Sequence, residues 1–260
     1  MQEKQPLISV DNVSKSFGEL HVLKGVSLDL YPGETLIVLG KSGVGKSVLL
    51  KLIVGLLTPD SGEIFYEGMP ISKMNDHDLH AMRKQIGFLF QGGALFDSMT
   101  VGENMNMVLK KHSTLDQAER EKRIVRALEL VGLSDKLDIM PASLSGGQKK
   151  RAGLARSIVL QPKLILYDEP TTGLDPITAA SIAELIFSLQ KQLGVASIVV
   201  THDLPTAYTV SDRTIVLEAG KKIFDGPIED LRKEKEGHLS DFLEAAELDR
   251  SRRDKISQSI

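Results

Sequence analysis

The chain has 260 residues, of which 42% are hydrophobic, and its formal net charge at pH 7 is −3. This composition suffices for a substantial core, and the slight negative charge argues against binding along a nucleic-acid backbone. The absence of cysteine excludes disulfides and thiolate metal ligands. The N-terminus lacks the apolar core of a signal peptide and the longest apolar runs are strand-sized, so we expect a cytoplasmic protein without a membrane span of its own.

The first part of the chain predicts an antiparallel β region that leads into a buried strand. Residues 7 to 35 alternate in the manner of short strands, and Tyr31-Pro32-Gly33-Glu34 has the chemistry of a type II turn. Apolar residues 35–39 then form a strand, and helix-forming residues 48–53 follow.

The residues between this strand and this helix, 40–47, fill every fixed position of the phosphate-binding pattern G-x-x-x-x-G-K-[ST]. Glycines let backbone N–H groups surround phosphate oxygens, and the helix N-terminus adds a partial positive charge. Lys46 would reach the β- and γ-phosphates, and the Ser47 hydroxyl would hold Mg²⁺. A Gly-rich turn without a ligand is the alternative, which the flanking strand and helix disfavour. The predicted nucleotide contacts here are Gly40, Lys41, Ser42, Gly43, Val44, Gly45, Lys46, Ser47 and Val48.

The middle of the chain is predicted to be mostly helical. Residues 57–62 have turn chemistry, and residues 63–66 form a strand. Thr114-Leu115-Asp116-Gln117 has capping-box spacing and opens a helix that ends at Gly132. The elements predicted after this region are a strand at 163–167, a helix from 175 to 194 and a strand at 195–200.

Polar side chains follow several of the predicted strands, where ligands of open α/β sheets collect. Asp168 would hold Mg²⁺, and the adjacent Glu169 would polarise an attacking water. His202 would hydrogen-bond a γ-phosphate, and Gln91, after a strand at 85–90, would contact Mg²⁺ or water. Each has an ordinary alternative: the acidic pair as the start of a loop, the histidine as a structural residue and the glutamine as a polar strand end.

A second glycine loop, Ser145-Gly146-Gly147-Gln148, precedes an amphipathic helix that stops at Pro162. A glycine loop that opens a helix is an anion site, but this one has no lysine of the phosphate-loop type and no metal ligand. It is therefore suited to cap a γ-phosphate presented by another molecule. An ordinary glycine N-cap is the alternative.

The pentapeptide Leu144-Ser145-Gly146-Gly147-Gln148 resembles the signature motif of ABC-transporter ATPase subunits, and the other motifs follow in that family's order over nearly the whole chain. The roles that this resemblance implies are Q-loop glutamine for Gln91, Walker B aspartate for Asp168, catalytic base for Glu169, D-loop for Leu174-Asp175 and switch histidine for His202.

The resemblance also implies an α/β fold of the P-loop NTPase type, with a RecA-like core, an antiparallel β lobe and a helical lobe that carries the signature motif. Residues 1–236 would form a single ABC ATPase domain. Within it, residues 7–90 and 163–236 would form the core and β lobe, and residues 91–162 the helical lobe. Residues 237–260 would form a C-terminal helical and basic tail.

By the same resemblance, two such subunits form a head-to-tail dimer that encloses two ATP molecules with Mg²⁺. Each ATP would lie between one phosphate loop and the other subunit's Ser145, Gly146, Gly147 and Gln148, with Asp175 nearby. ATP binding would close the dimer and hydrolysis would reopen it. Phe17 falls where the family stacks an aromatic ring, usually tyrosine, on adenine. Its alternative is a core aromatic of the β lobe.

Residues 92–104 and 175–178 look like the ATPases of MCE-type systems such as the Mla phospholipid transporter. This resemblance implies lipid transport with a membrane permease, an MCE-domain lipid-binding protein and a small regulatory subunit, at the cytoplasmic face of the inner membrane. The signature motif is followed by two lysines, Lys149 and Lys150, which is closer to the general ABC pattern than to some Mla ATPases. The alternatives are an ATPase of a polar amino-acid or methionine importer, or a soluble ATPase of iron–sulfur assembly.

Two further segments are predicted to meet partners. Leu95, Phe96, Met99 and Val101 would form a shallow apolar cleft for a helix of the membrane subunit, with packing in the helical lobe as the alternative. The tail from Gly237 has apolar residues at helical spacing and would dock on a partner, with a solvated terminus as the alternative.

Overall fold

The structure is a computed structural model that describes residues 5–231. Within this range the strands are β1 (Ile8–Phe17), β2 (Leu20–Leu30), β3 (Thr35–Leu39), β4 (Ser61–Tyr66), β5 (Met69–Pro70), β6 (Ile86–Leu89), β7 (Leu164–Asp168), β8 (Ala196–Thr201), β9 (Arg213–Glu218) and β10 (Lys221–Gly226). The helices are α1 (Lys46–Ile53), α2 (Asp76–Lys84), α3 (Val101–His112), α4 (Gln117–Leu130), α5 (Gly146–Ile158), α6 (Pro176–Leu193), α7 (Leu204–Val210) and α8 (Ile228–Leu231).

Two sheets organise these strands. The first is antiparallel with the order β2-β1-β4-β5, which confirms the antiparallel region predicted before the phosphate loop. The second has the order β10-β9-β3-β8-β7-β6. In it β9, β3, β8, β7 and β6 run parallel, and β10 is antiparallel to β9. The carboxyl ends of β3, β6, β7 and β8 therefore share one edge of this sheet, where ligands of such folds bind.

The parallel sheet is covered on both faces, as β3 shows. All five of its residues are buried, because side chains on both faces meet apolar neighbours. Ile37 and Leu39 belong to the apolar cluster that includes α3, α4 and α5, whereas Leu36 and Val38 belong to the cluster that includes α1 and the antiparallel sheet. The phosphate loop that follows β3 is thus anchored between the two cores.

The helical middle of the chain is confirmed by α3, α4 and α5, but the predicted start of α4 is wrong. Its N-cap is Asp116 rather than Thr114: Asp116 Oδ1 accepts the Glu119 N–H at 2.9 Å, and Glu119 Oε2 accepts the Asp116 N–H at 3.4 Å. A carboxylate at each position is a stronger acceptor for the unpaired N–H groups than a hydroxyl or an amide. Gly132, with φ 69°, lies just beyond the helix end, as predicted.

Among residues 5–231, no helix combines the length and the apolar character needed to cross a bilayer. The predicted C-terminal tail, residues 237–260, lies outside the described residues. The division of residues 1–236 into core, β lobe and helical lobe stays a prediction.

Candidate nucleotide-binding site

The phosphate loop joins the end of β3 to the start of α1. Gly45 is the N-cap of α1 and has φ 107°, a left-handed conformation that favours glycine. A Cβ at this position would lie 2.8 Å from Leu23 Cδ2 and 2.9 Å from Val22 Cγ1, so a larger residue would force the loop away from β2. The first turn of α1, which the structure describes in full, contains no acidic residue. The loop therefore presents a helix N-terminus suited to an anion.

Lys46 begins α1 and folds back over its own loop. Its side chain is 5% exposed. Its Nζ donates to Gly40 O at 2.7 Å and to Lys41 O at 3.1 Å, and it lies 3.1 Å from Glu169 Oε1. The ammonium group is thus held inside the loop, where phosphate oxygens would replace its present partners.

Ser47 and Asp168 meet beside the phosphate loop. Ser47 Oγ donates to Asp168 Oδ1 at 2.8 Å. Burial raises the pKa of the Asp168 carboxyl above its ordinary value, against the hydrogen bond from Ser47, which lowers it. A cation at this point would favour the ionised carboxylate, and hydroxyl and carboxylate oxygens are ligands that Mg²⁺ prefers. The donor set therefore fits a magnesium ion.

Glu169 follows β7 and has φ 49°, a left-handed conformation that is uncommon outside glycine. Its Oε2 accepts hydrogen bonds from Thr172 Oγ1 at 3.2 Å and Thr201 Oγ1 at 3.5 Å, and lies 2.8 Å from His202 Nδ1. Burial raises the pKa of Glu169, but His202 and Lys46 outweigh burial and leave the pKa below its ordinary value. The hydrogen bond from His202 to Glu169 in turn raises the pKa of the histidine. The carboxylate is thus ionised and oriented, as a proton acceptor for water must be.

A cleft with a volume of about 440 Å³ opens above the phosphate loop. Phe17 lies on its lining and is 48% exposed, so the alternative of a core aromatic is wrong. The exposed side chain of Gln91 reaches the same cleft from the end of β6. The other residues that line the cleft are Val22, Ser42, Gly43, Gly45, Lys46, Ser47, Val48, Glu169, Thr172 and His202.

The second glycine loop lies elsewhere. Ser145 is the N-cap of α5 and forms a capping box with Gln148, in which Ser145 Oγ accepts the Gln148 N–H at 3.3 Å. Ser145 and Gly146 are exposed, and neither they nor Gly147 and Gln148 line the cleft. The segment around Asp175 adjoins this loop, because a Cβ on Gly147 would lie 2.6 Å from the Thr178 side chain. The structure therefore brings most predicted residues together in the cleft but leaves the second loop and Asp175 on a separate surface.

Asp175 caps α6 by accepting the Thr178 N–H at 3.0 Å, and the hydrogen bonds from Thr178 lower the pKa of its carboxyl. Thr172 is a residue that sequence reasoning missed. Its hydroxyl binds the Glu169 carboxylate, and only its position three residues later hinted at this contact. Sequence reasoning also missed Thr201, the last residue of β8, whose hydroxyl binds the same carboxylate.

The predicted apolar cleft after Gln91 is only partly formed. Val101 is 1% exposed and belongs to the core, and Leu95 packs against the same core, so the packing alternative holds for both. Val101 faces the core from the first residue of α3, and Leu95 faces it from the loop before that helix. Phe96, in contrast, is 48% exposed, and Met99 is half-buried.

Residues 23–172 match the family model described as ABC transporter. The chain belongs to this family. A methionine import ATP-binding protein, MetN, of Mesorhizobium japonicum is 40% identical over 86% of this ABC cassette and 61% of its own length. An intermembrane phospholipid transport system ATP-binding protein, MlaF, of Haemophilus influenzae is 37% identical over 92% of this cassette and 90% of its own length. The chain thus spans about three fifths of the methionine-import relatives it matches.

A solved structure confirms the ABC ATPase fold. The ATP-binding cassette MJ0796, described as a dimer in a post-hydrolysis state bound to ADP and Pi, matches with a TM-score of 0.77 and 32% identity. The match covers 85% of this cassette and 98% of the other chain. The ABC family is one of ATP-hydrolysing transporter subunits.

Proposed function

We propose that this chain binds and hydrolyses ATP to drive a membrane transporter. The observation that carries this proposal is that Lys46, Ser47, Glu169 and His202 line one cleft, although they come from three separate segments of the chain. Asp168 joins them through its hydrogen bond with Ser47. Each of these groups serves phosphoryl transfer: a cation for the phosphates, oxygen ligands for a metal and a base for water.

The residues divide the chemistry between them. Backbone N–H groups of the loop and Lys46 would bind the phosphates, and Ser47, Asp168 and Gln91 would hold Mg²⁺. Magnesium, when bound, neutralises charge that develops on the phosphate oxygens. Glu169 would take a proton from the attacking water while His202 holds the carboxylate in place, at 2.8 Å. Phe17 would stack on the adenine ring from the rim of the cleft.

The direct experiment is phosphate release from ATP by the purified protein with Mg²⁺. We expect turnover in the parent protein and its loss in Lys46→Ala, which removes the cation from the loop. Arg126→Ala is a matched control, because Arg126 is an exposed residue of α4 that pairs with Glu129 at 3.2 Å. Absence of turnover in the parent, alone and with its membrane partners, would contradict the proposal.

A second copy of the chain would complete the site. Ser145 to Gln148 lie outside the cleft of their own subunit but carry the anion-binding chemistry of a helix N-terminus. The dimeric MJ0796 cassette supports the pairing of two copies. In the pairing that we propose, one subunit supplies this loop to the ATP of the other. ATP would thus join the two copies, and its hydrolysis would release them.

A membrane permease would dock beside Gln91, at residues 92–104. Phe96 offers an exposed apolar side chain at this place. The permease would supply the membrane passage, with this chain at the cytoplasmic face of the inner membrane.

Lipid transport is the cargo that we favour. Its support is the resemblance of residues 92–104 and 175–178 to MCE-type ATPases, together with the 37% identity to MlaF, whose name specifies phospholipid transport. Methionine import is the second candidate, supported by the 40% identity to MetN. Iron–sulfur assembly is the third.

Co-purification from membranes distinguishes these candidates. A permease with an MCE-domain protein, with or without a small regulatory subunit, would support lipid transport. A permease with a solute-binding protein would support the importer, and recovery with soluble iron–sulfur assembly proteins alone would contradict both.

A further inference from the structure

Lys150 is a buried cation that the proposed mechanism does not use. It lies on α5, one and a half turns after Ser145, and is 6% exposed. Its Nζ donates to the backbone carbonyl of Gln91, and also to that of Glu169 at 3.5 Å. One side chain of α5, which we call the signature helix because it begins within the signature motif, thus touches the backbone of two residues that line the cleft.

Helix α5 also contacts the loop after Gln91 through other residues. The guanidinium of Arg156 donates to the carbonyls of Ala94 and Gly93, the latter at 3.4 Å. A Cβ on Gly153 would lie 3.0 Å from Gly93 O, so helix and loop are in direct contact. Gly93 and Ala94 have φ values of 75° and 49°. The loop therefore adopts an unusual backbone shape whose carbonyls are bound by cations of α5.

Lys150 extends these contacts to the backbone of Glu169, the residue that carries the proposed catalytic carboxylate. Glu169 also has a left-handed backbone, and its carbonyl accepts the Thr172 N–H at 3.3 Å in addition to the Lys150 contact. Its N–H is tied to Val200 O at 3.0 Å. These bonds fix the peptide from which the Glu169 side chain extends, so a change at Lys150 would alter where that carboxylate lies.

The surroundings of Lys150 explain why a charged group occupies this place. Burial lowers the pKa of its ammonium, while the Asp168 and Glu169 carboxylates act in the opposite direction. A buried charge persists only where partners compensate its lost hydration. Two backbone carbonyls and two nearby carboxylates provide that compensation here.

We propose that Lys150 is a positioning residue that links the signature helix to Gln91 and Glu169 of the same subunit. This inference rests on the proposed ATPase function and adds a route within it. When the N-terminus of α5 binds the phosphate of a partner's ATP, a shift of the helix would move the Lys150 ammonium. The backbone of Gln91 and of Glu169 would move with it, so occupancy of one site sets the geometry of the other.

The test compares three variants of the full chain. Lys150→Met keeps the length of the side chain but removes its donors, Lys150→Arg keeps a cation, and Lys149→Met removes the same charge from the preceding, more exposed position. For Lys150→Met we expect kcat to fall about ten- to a hundred-fold with KM for ATP changed less than about three-fold, because misplacement of a base by a fraction of an ångström slows chemistry more than binding. We expect Lys150→Arg to recover most of kcat and Lys149→Met to retain it.

Hydrogen exchange of the nucleotide-free protein gives a readout that is independent of turnover. We expect Lys150→Met to accelerate amide exchange at residues 90–95 and 168–172, and Lys149→Met to leave both segments unchanged. If the parent does not hydrolyse ATP, the proposed function fails. The comparison of exchange rates still tests whether Lys150 positions the backbone of Gln91 and Glu169. Unchanged exchange in Lys150→Met would overturn the inference. So would a kcat within two-fold of the parent, or a general loss of thermal stability with kcat and KM impaired together.

Discussion

Ser47 Oγ donates a hydrogen bond of 2.8 Å to Asp168 Oδ1, although the two residues are 121 positions apart. The contact forms because β3 and β7 both flank β8 in the parallel sheet, so the segments after them reach the same edge. Burial raises the pKa of Asp168, which means that the site favours a compensating cation. The Ser47 hydroxyl at the start of α1 and the Asp168 carboxylate at the end of β7 thus offer two oxygen ligands for a metal ion.

Removal of magnesium should therefore stop turnover. We expect a chelator to abolish phosphate release and added Mg²⁺ to restore it. Asp168→Asn should lower kcat on the order of a hundred-fold or more, since a metal contact contributes several kcal/mol to the transition state. Steady-state phosphate release against Mg²⁺ concentration measures both. Asp76→Asn, at an exposed position of α2, is the control, and full activity of the chelated protein would contradict the magnesium site.

The Glu169→Gln variant should bind ATP but not turn it over. Glutamine preserves size and hydrogen-bond acceptance but cannot take a proton, and loss of a general base typically costs ~10²–10⁴-fold in rate. Phosphate release and equilibrium nucleotide binding together check this expectation. Glu184→Gln, on the exposed side of α6, should behave as the parent. Near-normal turnover in Glu169→Gln would contradict the assignment of Glu169 as the general base.

Ile177 should lie in the interface of the ATP-bound dimer. Its side chain is 83% exposed, next to Thr178, which adjoins Gly147 of the second glycine loop. Burial of such a side chain contributes about 1.5–3 kcal/mol, so Ile177→Asp should weaken ATP-dependent dimerisation of the Glu169→Gln protein at least about ten-fold. Sedimentation with and without ATP measures this. Leu56→Asp, another exposed apolar position at 56%, should not matter, and equal dimerisation of both variants would count against the interface.

Arg213 joins the two sheets and makes stability depend on pH. It donates to Glu34 Oε1 and Asp225 Oδ1, each at 2.7 Å, and to the Asp29 carbonyl on β2. Burial raises the pKa of Asp225, but Lys222 and Arg213 outweigh burial and leave it below its ordinary value of 3.8.

A lowered carboxyl pKa stabilises the fold above the unfolded value, and this contribution is lost as the pH falls through the folded value. Asp225→Asn should therefore lower the Tm at pH 6 by the equivalent of at most about 1 kcal/mol, and the difference from the parent should shrink as the pH falls below the ordinary value of 3.8. Thermal unfolding at pH 6 and at a series of lower pH values checks this. A difference that stays constant or grows on acidification would contradict the ion pair.

Local patterns predicted much of the site. The phosphate loop from Gly40 to Ser47 and the polar strand ends at Asp168 and His202 could be found because loop chemistry and strand ends depend on residues close in sequence. The antiparallel region before the loop and the helical middle were predicted for the same reason, and both are confirmed.

Contacts between distant segments were not predictable in this way. Val101 has the same apolar character as Phe96, yet one is buried and the other is half-exposed, because Val101 lies on the core-facing side of α3 whereas Phe96 lies in the loop before that helix. The bonds from Thr172 and Thr201 to Glu169, and from Lys150 to two carbonyls, depend on how α5, β7 and β8 pack. Hydroxyl and ammonium groups are common, so their residue types alone did not mark them.

The sequence by itself was enough to predict the chemistry that we propose for this protein: a phosphate loop, a carboxylate for a metal, a base and a second anion loop without a lysine of the phosphate-loop type. It did so because each depends on residue types at short, fixed spacing. Only the tertiary structure decided which groups meet. It placed Glu169 between Lys46 and His202, and left Ser145 on another surface, because the order of strands in the sheet and the packing of helices on it set distances between segments far apart in the chain.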